Sequence, residues 1–272
     1  MITLDPECKT SDTSVDFSPD PTWEKSHLCI QHRTSQVLVL DGCLTAQECA
    51  SLRDLADCGE AYPQANPTKR KRTCQIPALT SALWERVRGF IPEAVYHTFT
   101  LPSQCEGSST PATGVHLDQG ASYWSRPELN PCWRLLRYPV GGSLGPHYDG
   151  RMVSSVDRRS LYTAMIYLGP SDEGGNLKFL SLHLEIVPKP GRLVVFDQSL
   201  LHEGLRTPAV KYFARTELVY QRSRPVETAA DRQATELYQE ACRINYAEPE
   251  RAAVLEARAF ELSPLLRELL LE

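Results

Sequence analysis

Three side chains have the types and spacing to hold one redox metal. His147 and Asp149 flank Tyr148 in Gly145-Pro146-His147-Tyr148-Asp149-Gly150, and His202 opens the later stretch His202-Glu203-Gly204. On a β-strand successive side chains alternate faces, so His147 and Asp149, two positions apart, point the same way and can bind one ion as neighbours. His202 then closes a triangle. Two imidazoles and one carboxylate on one face of a six-coordinate ferrous ion leave the opposite face open to a co-substrate and dioxygen. A second His-x-Asp, His116-Leu117-Asp118, sits in a loop-rich segment and is the weaker pair. His183 is an alternative distal ligand, but it falls in mid-strand without a basic residue at the right interval. The bland alternative for the whole set is a structural β-barrel whose histidines cap loops.

The elements that must position these residues are short and β-rich. Runs at 133–138, 161–168, 177–186, 192–196 and 212–220, separated by Gly, Pro and Asp, predict an antiparallel sheet or barrel. Upstream, 37–40 reads as a buried strand, and Thr45 with Glu48 forms a capping box that starts a helix running to about Ala56. Leu83, Trp84, Val87 and Phe90 recur at helical intervals and predict a helix that backs the sheet. Lys69-Arg70-Lys71-Arg72 reads as a solvated basic turn within the loop 63–73, in preference to a nuclear signal or anion patch. Residues 101–120, rich in Ser, Thr, Pro and Gly, suit a lid. Residues 1–35 read as a polar flexible tail, 36–222 as the catalytic domain and 223–272 as a helical extension with helices over 227–244 and 249–270. Leu265, Leu266, Leu269 and Leu270 form an apolar stripe that docks on its own domain in preference to dimerising.

Composition narrows the partners. A chain of 272 residues with 42% hydrophobic content buries one large core, and a net charge of -5 offers nucleic acid or anionic lipid no general attraction. The first residues are polar and acidic where a signal peptide is cationic then apolar, and no run has the length of a membrane span. Nine cysteines without a Cys-x-x-Cys fit scattered reduced thiols. The expectation is a soluble, cytoplasmic protein in a reducing compartment, with the nucleus a weaker alternative.

Several segments together carry a family resemblance. Arg137-Tyr138-Pro139 leads into His147-Tyr148-Asp149-Gly150; Thr163-Ala164-Met165-Ile166-Tyr167-Leu168 precedes Gly174-Gly175; Pro190-Gly191-Arg192 introduces Val194-Val195-Phe196; and His202-Glu203-Gly204 is followed by Lys211-Tyr212. In this order they resemble the Fe(II)/2-oxoglutarate dioxygenases, in particular the prolyl-4-hydroxylase-like branch, over roughly residues 36–222. The resemblance implies an α+β fold: a double-stranded β-helix (jelly-roll, cupin-like) core with N-terminal supporting helices and a C-terminal helical extension. It implies Fe(II) held by His147, Asp149 and His202, 2-oxoglutarate and dioxygen as co-substrates, and ascorbate as a compatible reductant.

The chemistry of that co-substrate assigns further residues. The far carboxylate of 2-oxoglutarate needs a buried cation, and Lys211, nine positions after His202, is the candidate. Thr163 and Tyr167, four apart on one strand, share a face and can donate to the same carboxylate; Tyr138 can reach the metal end. Asp149 argues against halogenation, since halogenating relatives carry a small residue there. Arg215, four beyond Lys211, is placed at the mouth, clamping a substrate carboxylate or pairing with Glu217. Arg159, Tyr123 and Trp124 are further candidates for substrate contact. The leading expectation is hydroxylation of an aliphatic C–H in a small molecule such as an amino acid. The alternatives are a prolyl or other protein hydroxylase and, from another class, a non-catalytic β-barrel binding module. A zinc hydrolase is disfavoured because it leaves Lys211 without a task.

Overall fold

The computed structural model describes residues 14–62, 66–98, 121–169 and 174–271. The first half holds strands β1 (Cys29–Arg33) and β2 (Val37–Asp41), helix α1 (Ala46–Asp57), β3 (Glu60–Tyr62), β4 (Asn66–Gln75), α2 (Pro77–Val87) and β5 (Ala94–Thr98). Then come β6 (Ala121–Leu129), β7 (Cys132–Tyr138), β8 (Leu144–His147), β9 (Val153–Ser155) and β10 (Arg158–Gly169). Strands β11 (Leu177–Phe179), β12 (Leu184–Ile186), β13 (Leu193–Asp197), β14 (His202–Gly204) and β15 (Lys211–Arg222) complete the sheets, followed by helices α3 (Ala229–Ile244), α4 (Pro249–Leu262) and α5 (Pro264–Leu271).

The strands form a large sheet, whose main path is β1-β2-β13-β10-β15-β7-β4-β3, and a small one in the order β12-β11-β14-β8. Their pairings are antiparallel. Together they make a jelly-roll core. On β10 the period-two alternation sorts side chains between two cores: Tyr162, Ala164, Ile166 and Leu168 meet α1 and α2, while Met165 and Tyr167 point between the sheets with Phe179, Phe196 and Phe213. Burial on both faces explains why β10 is an almost unbroken apolar run. The small sheet, which carries both histidines of the triad, lies across the second of these cores.

The expected helix after Thr45 is present, its hydroxyl accepting from the Glu48 backbone N–H while the Glu48 carboxylate accepts from the Thr45 N–H. Glu48 also receives a two-pronged ion pair from Arg86 of α2, at 2.8 Å on each oxygen, so the two helices are locked beneath the sheet.

Several expectations need correction. Residues 14–35 are not a loose tail: Phe17 lies in the core, the Trp23 indole N–H donates to the Gly42 carbonyl at 2.8 Å, and β1 pairs with β2. Their polar composition hides a few anchors that suffice to seat the segment. Lys69-Arg70-Lys71-Arg72 is no turn but the middle of β4, paired along β7. The expected strand at 177–186 is two strands joined by a turn in which His183 is exposed with φ 50, and His183 is not in the cluster of ligand atoms formed by His147, Asp149 and His202. The last helix is broken at Ser263, because Pro264 has no N–H to continue it and starts α5 instead. Leu266, Leu269 and Leu270 pack on Val153, Val156 and Tyr238, so the leucine stripe is spent on its own domain and is not a free dimerisation face. Cys29, Cys43, Cys49, Cys58, Cys74 and Cys242 are free. The lid at 101–120, with His116 and Asp118, lies outside the described residues. Among the described residues no helix is long and apolar enough to cross a membrane.

Candidate metal centre and active site

His147 closes β8 and His202 opens β14, and the two are cross-strand partners in the small sheet. Their rings stand 4.3 Å apart. Asp149 lies just beyond the strand rather than on it, so alternation alone does not place its carboxylate. It arrives by the chain turning inward past exposed Tyr148, which sets Asp149 3.7 Å from His147 Nε2 and 3.9 Å from His202 Nε2. One ligand atom from each of the three lies within 4.8 Å of the others. Each histidine Nδ1 is 2.9 Å from a backbone carbonyl, Gly145 for His147 and Leu200 for His202. A carbonyl only accepts, so the proton sits on Nδ1 and Nε2 keeps its lone pair for a metal. Burial, the largest influence, holds the His202 pKa below the usual range and favours the neutral ring a ligand needs.

Asp149 is buried and held on both oxygens. Arg215 Nη1 lies 2.8 Å from Oδ1, and the Thr163 hydroxyl donates to Oδ2 at 2.6 Å. Burial pushes this carboxyl up, but Arg215, His202, Thr163 and His147 together outweigh it and leave the pKa below the ordinary carboxylate range. Two sequence expectations change here. Thr163 braces the metal-binding aspartate instead of meeting the Lys211 end, and Arg215 pairs with Asp149 instead of with Glu217, whose partner is Arg134.

The triad opens on a cavity of about 550 Å³ that Lys211 also lines. Lys211 is almost fully buried, donates to the Gly175 carbonyl at 2.5 Å, and has its ammonium 5.3 Å from the Tyr167 ring. Burial brings its pKa down to about 8. The Tyr167 hydroxyl is buried with no hydrogen-bond partner among the described residues, a donor suited to a ligand. Tyr138, the cross-strand partner of Lys211, also lines the cavity. The donor set fits Fe(II), and an ammonium with an unused phenol nearby fits a carboxylate dianion.

Other expectations do not reach the site. Trp124 is wholly buried in the α1/α2 core, and Arg159, equally buried, packs its guanidinium 5.8 Å from the Trp124 ring, so neither meets substrate. Tyr123 is exposed on β6. Sequence reasoning missed Lys69, Lys71 and Arg134, which line the cavity from β4 and β7, and Tyr246, which reaches it from the turn between α3 and α4. The period-two spacing of Lys69 and Lys71 was the available signal, hidden because the segment read as a turn.

Residues 133–216 match the family profile described as the 2OG-Fe(II) oxygenase superfamily, and the match contains all three metal-ligand candidates and Lys211. The segment is a 2OG-Fe(II) oxygenase domain. The oxygenase therefore works with Fe(II), 2-oxoglutarate and dioxygen, and it is an oxidoreductase. No curated protein matches the chain. Solved structures similar to this oxygenase include a viral collagen prolyl hydroxylase from Paramecium bursaria Chlorella virus-1 in complex with 2OG, at 19% identity over 68% of this chain and 96% of that one, with a TM-score of 0.45. A prolyl-4-hydroxylase from Pseudomonas putida is similar at 16% identity, covering 70% and 95%, with a TM-score of 0.41. A 2OG-Fe(II) oxygenase family oxidoreductase from Burkholderia pseudomallei is similar at 14% identity, covering 76% and 95%, with a TM-score of 0.43.

Proposed function

We propose that this oxygenase hydroxylates an aliphatic C–H of a small molecule, such as an amino acid or related metabolite. Bound iron with 2-oxoglutarate and dioxygen supplies the oxidising power, with decarboxylation of 2-oxoglutarate to succinate. The chain's residues do the rest. His147, Asp149 and His202 would hold the metal; Arg215 and Thr163 grip the aspartate so that its orientation is set in advance. Lys211 and the Tyr167 hydroxyl are assigned to the far carboxylate of 2-oxoglutarate. The observation that carries the small-molecule reading is the volume: about 550 Å³ lies in the range of small-ligand pockets and accommodates the co-substrate and one further small molecule.

The alternative substrate is a prolyl or other side chain of a peptide, the substrate class named for the viral and Pseudomonas proteins. Succinate release measured with a panel of amino acids and small acids against proline-rich peptides separates the two. Turnover with small molecules is expected, and turnover with peptides alone overturns the proposal.

A further inference from the structure

We propose that Arg215, besides holding Asp149, binds a carboxylate of the substrate; this rests on the small-molecule reading above and narrows that substrate to carboxylic acids. On β15 the alternate residues Lys211, Phe213, Arg215 and Glu217 all line the cavity, as the pleat of a strand requires. Lys211 and Arg215, four residues apart, therefore stand about 13 Å from each other along one wall. Lys211 lies opposite Tyr138, and Arg215 lies opposite Met165 on one side and Arg134 on the other. The next row is Glu217 opposite Thr163, and the Asn130 side-chain amide there reaches both the Glu217 carboxylate and the Met152 sulfur. With 2-oxoglutarate assigned to Lys211 and the metal, the wall from Arg215 to Glu217 is left for the molecule to be oxidised.

On that wall Glu217 is already engaged by Arg134 and Asn130. Arg215 is engaged in part. Its Nη1 meets Asp149 at 2.8 Å, its Nε has no hydrogen-bond partner among the described residues, and 22% of this cavity-lining side chain is exposed. A guanidinium presents five N–H donors in a planar fork, enough for two carboxylates at once. The charge around the metal calls for the second one. A ferrous ion, Lys211 and Arg215 bring four positive charges, and Asp149 with the 2-oxoglutarate dianion brings three negative ones, while Arg134 and Glu217 cancel each other. A substrate monocarboxylate neutralises what is left, and an uncharged molecule does not. Once a divalent ion shares the charge of Asp149, the arginine is less fully balanced by that aspartate and better able to hold an incoming acid.

Calorimetric titration of protein loaded with Mn(II) and saturating 2-oxoglutarate tests the idea, with propionate as the acid and propionamide as its uncharged counterpart. The wild type should bind propionate at least about tenfold more tightly than propionamide. Arg215→Gln should weaken propionate by at least about tenfold yet bind Mn(II) no less tightly, because a cation has been removed from beside a metal ligand. A residue that only braces Asp149 would instead lower Mn(II) affinity or leave propionate untouched. Arg215→Lys keeps the charge without the fork, so its propionate affinity should fall between the two, and it carries the test if the glutamine variant does not fold. Equal binding of the two probes by the wild type, propionate affinity unchanged in both variants, a parallel loss of Mn(II) affinity, or a loss of 2-oxoglutarate affinity in place of propionate affinity overturns the inference. Peptide-only turnover in the succinate assay overturns the small-molecule reading, whereas these titrations bear on Arg215 alone, which keeps the two failures apart.

Discussion

Arg215 Nη1 lies 2.8 Å from Asp149 Oδ1, so an arginine of β15 neutralises the one carboxylate of the metal-binding set. A buried carboxylate without a counter-charge is costly, and here the protein carries its own. Replacing Arg215 with Gln should destabilise metal-free protein by about 3 kcal/mol. A bound divalent ion supplies the missing charge, so the loss should shrink when Mn(II) is present. Thermal melts of both proteins with and without Mn(II) check this; equal losses in both states refute it.

The triad itself makes a spectroscopic prediction. Adding Fe(II) and 2-oxoglutarate without oxygen should produce a visible charge-transfer band in the wild type. His147→Ala, Asp149→Ala or His202→Ala should abolish it, and His183→Ala should leave it intact because His183 is exposed in the β11–β12 turn. Loss of the band in the His183 variant would contradict the metal assignment.

Lys211 predicts a pH dependence of co-substrate binding. Its pKa is lowered to about 8 by burial, so the ammonium is present below that pH and is lost as pH rises through it. Affinity for 2-oxoglutarate should hold below pH 8 and fall above it by up to about tenfold per unit. The sign for stability is opposite: unfolded chains keep the proton to higher pH, so the burden of the buried charge eases between about 8 and the ordinary lysine range. Lys211→Met should weaken 2-oxoglutarate at least about tenfold at pH 7 and flatten the pH profile. Titrations across pH 7 to about 9.5 read both effects.

Beneath the sheet, Glu48 and Arg86 form a buried pair. Burial raises the Glu48 pKa, but Arg86 and the backbone N–H groups of Thr45 and Asp20 outweigh it and hold the carboxyl below its usual range. The stabilisation is therefore complete above the ordinary glutamate pKa and lost as pH falls through the lowered folded value. Arg86→Met should remove about 3–5 kcal/mol near neutrality by stranding Glu48. Urea unfolding at pH 7 measures it; a change below about 1 kcal/mol argues against a stranded charge.

Much of this protein was legible as a sequence because the relevant signals are local. Apolar periodicity located β2, β7, β10, β13 and β15, the Thr45-to-Glu48 spacing started α1, and the order of His147, Asp149, His202 and Lys211 marked the metal-dependent chemistry. Those features depend on neighbours a few residues apart, or on residue types that one reaction requires. Only the tertiary structure decided which side chains meet across strands. It turned Arg215 to Asp149, gave Thr163 to that same carboxylate, buried Arg159 and Trp124 in the wrong core for substrate, and brought Lys69 and Lys71 into the cavity. The physical reason is that pairing register, not distance along the chain, sets these partners, and register is fixed by the summed packing of both sheets rather than by any one segment.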